Sequence, residues 1–184
     1  VWTWVGVLML GVPLLQAQDV SRSSMRMADG RTWAVRNLDV ADAESYCYDD
    51  VHDNCRRYGR LYTWQAAVRA CRSLGTGWRL PEDAEWTRLA QRYGGLEGRD
   101  GRFGSEVYES LLAGGRSGFG AVLGGGRASE GTYARADAHG FYWTASESSA
   151  STAVFYNFGR NSRGLYRQRE GEKARAFAVR CMKD

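Results

Sequence analysis

Apolar residues recur at helical spacing in RLYTWQAAVRACRSLG (60–75). Leu61, Trp64, Val68, Cys71 and Leu74 fall on one face, and Gly75 ends the run. The pattern predicts a first helix with Cys71 on its buried side. A second helix is predicted from Pro81 to about Tyr93. Proline suits a first helical turn, Glu82, Asp83 and Glu85 complement the positive helix end, and Gly94-Gly95 stops it. Elsewhere the period drops to two. DGRTWAVRNLDV (29–40) reads as a strand after an Asp-Gly turn, with Trp33 and Val35 on one face. The last third alternates at 140–148, 151–159, 164–168 and 174–181 between Gly, Asn and Ser turns. Residues 41–59 read as loop, 96–118 as a Gly-rich stretch with a short helix at 105–112, and 119–140 as a strand, a loop and an irregular return. Two helices followed by a meander define an α+β domain.

The N-terminal segment VWTWVGVLMLGVPLLQAQ carries no charge before Asp19. Its apolar run, Trp2 to Leu15, is short for a bilayer and ends in small residues. It reads as a secretory signal peptide over 1–17, followed by a short linker over 18–28 and one domain over 29–184. The expectation is a secreted or cell-surface protein with no stable membrane insertion. Export gives the four cysteines meaning, because an even count in an oxidising compartment reads as disulfides, with three possible connectivities. Cys47 and Cys55 bracket the acidic turn CYDDVHDNC, and Cys71 and Cys181 are the remaining pair.

The 184 residues carry a formal net charge of +4, and nearly all the positive charge is arginine, only Lys173 and Lys183 being lysine. Between Arg160 and Arg180, seven basic residues face Glu170 and Glu172, a bias that favours an anionic partner by steering. No helix-turn-helix, RNA-binding or zinc-finger pattern accompanies it, so no nucleic-acid partner is expected.

Motifs for chemistry are sparse. His52 and His139 are the only histidines, and no HExxH or paired ligand spacing is present. His139 reads as an exposed loop residue beside Asp137. LGGGRASEG (123–131) lacks the Lys-Ser/Thr of a phosphate loop and reads as a tight turn. Asp49, Asp50, Asp53 and Asn54 offer oxygen ligands, but their spacing fits no EF-hand, and a solvated acidic turn is the better reading. No metal and no cofactor are expected. The tryptophans at 33, 64, 78, 86 and 143 lie in apolar-periodic segments and read as core.

SYCYDD with Cys55, YGRLYTWQAA (58–67), GWRLPEDAEW (77–86), YWTASE (142–147) and FAVRCMKD (177–184) occur in that order along the chain. With them the sequence resembles the Fibrobacter succinogenes major paralogous domain, a family similar to C-type lectin-like domains and to formylglycine-generating-enzyme relatives. The resemblance covers roughly 29–184. It implies two helices flanking a small twisted antiparallel sheet, with a disulfide from the first helix to the last strand, a role that Cys71 and Cys181 match. It further implies a secreted or surface binding module without catalytic residues, recognising an extracellular polysaccharide or a protein ligand. Calcium-dependent sugar binding is not implied, because the Glu-Pro-Asn, Gln-Pro-Asp and Trp-Asn-Asp signatures are missing.

Some C-type lectin-like proteins are variable targets of diversity-generating retroelements, and the comparable stretch here carries residues suited to an adaptable surface. The expected ligand face is therefore Ser146, Ser148, Tyr156, Asn157, Phe158, Arg160, Asn161, Ser162, Arg163, Tyr166 and Arg167. Tyr156, Phe158 and Tyr166 are expected to supply stacking area. Arg160, Arg163 and Arg167 are expected to meet acidic groups. Alternatives are a retroelement-diversified receptor, an adhesin or pilus component, and, with less support, a formylglycine-generating enzyme, which would need a reactive cysteine.

Overall fold

Both ends of the domain meet in one sheet. The computed structural model describes residues 23–96 and 104–184. Its elements in chain order are β1 (Ser24–Arg26), β2 (Thr32–Ala34), β3 (Ser45–Tyr46), a 3-10 turn (Tyr48–Asp50), α1 (His52–Tyr58), β4 (Leu61–Tyr62), α2 (Trp64–Arg72), β5 (Trp78–Arg79) and α3 (Asp83–Gln91). Then follow α4 (Ser105–Leu111), β6 (Gly124–Arg127), β7 (Tyr133–Ala136), β8 (His139–Glu147), β9 (Thr152–Gly159), β10 (Gly164–Glu172) and β11 (Met182–Lys183).

The closing sheet has the order β1-β2-β11-β5, with Met182 between Trp33 and Arg79. β1 lies within the stretch expected to be a linker. It is instead an ordered edge strand, Met25 opposite Trp33. The larger sheet has the order β10-β9-β8-β6-β7, all antiparallel except the short β6–β8 contact at Gly125 and Gly140. β3 and β4 form a separate two-stranded ribbon. The architecture is α+β, as the periodicities predict. The signal-peptide segment lies outside the described residues, and among those described no helix is long and apolar enough to cross a membrane.

The large sheet separates two apolar clusters. On one side Tyr142, Tyr156, Phe158 and Leu165 pack against Trp33, Trp86 and Leu89. Trp86 stacks on Tyr156 with 5.0 Å between ring centroids, and Trp33 meets Trp86 edge-on at 5.3 Å. On the other side Trp143, Ala153 and Phe177 pack with Ala66, Ala67, Ala70 and Cys71 of α2. The small alanine side chains let the helix lie close to the segment that precedes β11. Trp64 and Val68, expected on the buried face, are only half-buried. Leu61 lies ahead of the helix, in β4.

Helix α3 begins two residues later than the proline suggests. Glu82 is the N-cap, and its backbone N–H donates to Glu85 Oε2 at 2.8 Å, one half of a capping box. The expected loop at 41–59 contains α1, whose seven residues bury only Cys55 and Tyr58. Such a segment is too short and too polar to show a period. Of the expected last strand, 174–181, residues 174 and 175 belong to a turn, and 176–178 make only single bridges, Ala176 to Arg127, Phe177 to Tyr62 and Ala178 to Tyr142. Pairing proper begins at Met182. β10 runs further than expected and carries an irregularity between Gln168 and Gly171. A Cβ at Gly171 would lie 2.6 Å from Trp143 and 2.7 Å from Phe155, so only glycine fits there.

Two disulfides join Cys47 to Cys55 and Cys71 to Cys181, and no cysteine is free. Of the three connectivities this is the one that ties α2 to the chain's end.

Candidate binding surfaces

Strand alternation sends adjacent residues of β9 to opposite sides of the sheet. Tyr156 and Phe158 point into the first cluster and are fully buried. This corrects the expectation that they supply stacking area at the surface: the aromatic residues of β9 were recognisable, but not the side each one faces. Burial pushes the Tyr156 phenol far up, and its hydroxyl lies 2.9 Å from Thr87 Oγ1 and 3.0 Å from Asp83 Oδ1.

Arg167 is likewise spoken for. Its Nε donates to Asp83 Oδ1 at 2.7 Å, and its Nη2 pairs with Oδ2 of the same carboxylate. Burial alone would raise the Asp83 pKa, but hydrogen bonds from Arg167 and Tyr156 outweigh it and hold the carboxyl below its ordinary value. The expected ligand contact is therefore a fork that fastens β10 to the start of α3. Ser146 acts at the same junction, where its Oγ accepts the Asp83 backbone N–H at 3.0 Å. Ser148 sits in the β8–β9 turn, within 3.0 Å of Thr152 Oγ1. That turn is held by the buried Lys173 ammonium, which pairs with Glu147, donates to the carbonyls of Ser149 and Ala150 at 3.1 and 2.9 Å, and lies 4.6 Å from the Trp64 ring centroid.

The remaining expected residues fall into two groups. Arg160, Asn161, Ser162 and Arg163 are exposed in and beside the β9–β10 turn. Asn157 and Tyr166 are half-buried and face each other across β9 and β10 on the side opposite Tyr156. The structure thus divides the expected face among five places: core, α3 junction, the turn at one end, the turn at the other, and one sheet surface.

That sheet surface is covered at one end by Phe177 and α2, around Trp143 and Ala153. Toward the other end the described residues cover it only in part, and the same side carries residues the sequence reading passed over. His139, Phe141, Phe155, Asn157 and Tyr166 share the side, and all are half-buried. A polar row crosses the strands. The Arg135 guanidinium lies 3.3 Å from His139 Nε2, and His139 Nδ1 lies 2.9 Å from Asn157 Oδ1. A guanidinium only donates, so Nε2 accepts and the ring proton sits on Nδ1, donated to Asn157. Beside the row runs an aromatic one. His139 stacks on Phe141 at 5.6 Å, and Phe141 lies 6.0 Å from Phe155 and 5.0 Å from Phe177. His139 is thus a strand residue in a network, not the loop histidine expected.

The acidic turn does not converge on a point. Asp50 accepts from Tyr133 Oη at 2.6 Å, Asp53 pairs with Arg56, and Asn54 Nδ2 donates to the Tyr48 carbonyl at 2.9 Å. Burial and the bond to Asp50 push the Tyr133 phenol up to about 12. Among the described residues no group of three His, Cys, Asp or Glu side chains is placed to hold a metal ion.

With fold and surfaces defined, comparison with known proteins assigns the chain to a class. It belongs to the Fibrobacter succinogenes major domain family, whose model matches residues 21–183. No match is found among curated proteins or among solved structures.

Proposed function

We propose that this domain is a secreted or cell-surface, non-catalytic binding module of C-type lectin-like build, and that it takes an extracellular polysaccharide on the side of the large sheet that carries Asn157 and Tyr166. The observation that carries the reading is the pairing of a half-buried aromatic row with a polar row on a sheet surface that, among the described residues, α2 and Phe177 cover only in part. The apolar C–H face of a sugar ring packs on aromatic rings, while its hydroxyls, donor and acceptor at once, suit His139, Asn157 and Arg135. The lectin-like build is supported by the disulfide from α2 to the chain's end and by the meeting of both ends in one sheet. Export is supported by the two disulfides. The engagement of all four cysteines favours binding over a thiol-dependent enzyme of the formylglycine-generating kind.

The test is binding of the protein to a panel of polysaccharides, with and without chelator. A chelator-insensitive hit lost in Tyr166→Ala with Asn157→Ala supports the reading. Retention in that double variant removes this face from it. No hit on any glycan, with capture of a protein ligand instead, moves the function to the receptor or adhesin alternative.

A further inference from the structure

The other side of the β9–β10 turn borders a groove distinct from the sheet surface around Asn157 and Tyr166. Three depressions of about 570, 230 and 490 Å³ adjoin one another. The first two share Arg57, Tyr58 and Val122, and the second and third share Leu112, Ala113 and Arg160. Together they make one furrow from the segment after β2, past α1, to the end of α4. Its lining includes six arginines, Arg36, Arg56, Arg57, Arg160, Arg163 and Arg180, against three carboxylates, Asp39, Glu109 and Asp137.

The charges are unevenly answered. Arg57 donates to both oxygens of Asp137 at 3.0 Å, Arg163 pairs with Glu109, and Arg56 pairs with Asp53. Asp39 pairs with Arg60 at 3.3 Å. Among the described residues, Arg36 and Arg160 have no carboxylate within ion-pair distance, and both are exposed. Arg180 lies wholly buried beneath the floor. Its hydrogen bonds all go to neutral oxygens, Asn37 Oδ1 at 2.7 Å, the Ala34 carbonyl at 3.2 Å and the carbonyls of Phe119 and Gly120, and its guanidinium lies 4.6 Å from the Phe119 ring centroid. Burial pushes its pKa down to about 10, which leaves it charged at neutral pH. A buried cation with no counter-ion is costly and projects its field through low-dielectric surroundings.

We infer that this furrow binds a linear anionic polysaccharide, whose acidic groups sit near Arg36 over Arg180 at one end and near Arg160 at the other. Hydrogen-bond chemistry favours a glycan over an acidic peptide: between Arg36 and Arg160 the carboxylates of Asp39, Asp137 and Glu109, each paired with an arginine, still accept hydrogen bonds, which sugar hydroxyls can donate and a run of carboxylate side chains cannot. This site is separate from that sheet surface, and either assignment stands or falls alone.

Polygalacturonate is the probe, with neutral dextran and poly-glutamate as comparators, and the full chain is titrated at low and high salt. Arg36→Ser with Arg160→Ser is expected to weaken polygalacturonate binding about tenfold or more, to flatten its salt dependence, and to leave the melting temperature unchanged. Arg26→Ser with Arg72→Ser, which removes the same charge elsewhere, is expected to change binding little. The inference is overturned by no binding of polygalacturonate at low salt, or by equal loss in the two double variants, which marks general attraction to a basic protein. It is also overturned by tighter binding of poly-glutamate, or by loss confined to Tyr166→Ala with Asn157→Ala.

Discussion

The seam where the chain's ends meet and the turned end of the large sheet use charge and burial in opposite ways. At the seam, Arg79 reaches Glu85 on one side and Asp184 on the other, at 2.7 Å each, and Cys71–Cys181 closes the same region. Residues more than a hundred positions apart are joined there. At the sheet's end, Arg160, Asn161, Ser162 and Arg163 come from one local turn and stay exposed. Distant convergence holds the fold together. Local turns are left free to meet a ligand, because changing them disturbs little else.

The largest test of that contrast is the disulfides. Cys71–Cys181 spans 110 residues and Cys47–Cys55 spans 8. Chain-entropy reasoning assigns them about 5 and about 2.5 kcal/mol respectively. Cys71→Ala with Cys181→Ala should therefore lower the melting temperature far more than Cys47→Ala with Cys55→Ala. Equal falls would mean that the α1 region is as central to the fold as the seam.

Next in size is a pair of neighbours on β9. Tyr156→Ala empties a site stacked on Trp86 and should cost about 3–5 kcal/mol. Asn157→Ala, one residue on, should change stability by no more than about 0.5 kcal/mol while weakening glycan binding. Denaturant midpoints for both variants, with a binding curve for the second, decide it. A large loss from Asn157→Ala would make the His139–Asn157 bond part of the fold rather than of a site.

Those two residues also show what could be read from the chain and what could not. The strand itself was legible, as were α2 and α3, because each leaves a periodic signature, while the cysteine count left three connectivities open and the link from α2 to the chain's end came from the family resemblance. The inward side of β9 was not. Phe155 and Tyr156 are both aromatic, and the sheet has apolar cover on each side, so alternation carries no sign. Arg167 and Ser146 looked like ligand contacts because their partners, Asp83 and the α3 N-terminus, lie more than sixty positions away. The furrow was invisible for the same reason: Arg36, Arg57, Arg160 and Arg180 are scattered along the chain and meet only in the fold. Helix α1 was hidden by its shortness and polarity, since packing and the Cys47–Cys55 bridge, not periodicity, hold it.

A smaller effect concerns acid. Burial would raise the Glu85 pKa, but hydrogen bonds from Arg79 and from the Glu82 backbone outweigh it and hold the group below its ordinary value. Asp83 behaves alike through Arg167 and Tyr156, and Arg79 lowers Asp184. For carboxylates depressed in the folded state, the stabilisation is fully present above the unfolded pKa and is lost as pH falls through the folded one. Stability should thus hold from neutral pH to about 4.5 and decline below it. Glu85→Gln should lower stability at neutral pH by about 2 kcal/mol and make the acid decline shallower. An unchanged decline, followed by denaturant midpoints from neutral pH downward, would place the acid sensitivity outside the seam.

The smallest expected change lies at the turned end, and it bears on whether that end is built for stability at all. Arg163 pairs with Glu109, but the two side chains are 68% and 54% exposed. Water screens such a pair, and ordering two long side chains offsets much of its attraction, so its net worth is about 0–1 kcal/mol. Arg163→Ala should move the denaturant midpoint little, and added salt should erase the difference. If the variant instead loses stability that salt does not restore, the pair anchors β10 to α4, and the β9–β10 turn belongs with the seam as structure. If stability is kept while binding of an anionic glycan weakens, Arg163 is available to the ligand, and the contrast between the two regions extends to the last charged residue of the turn.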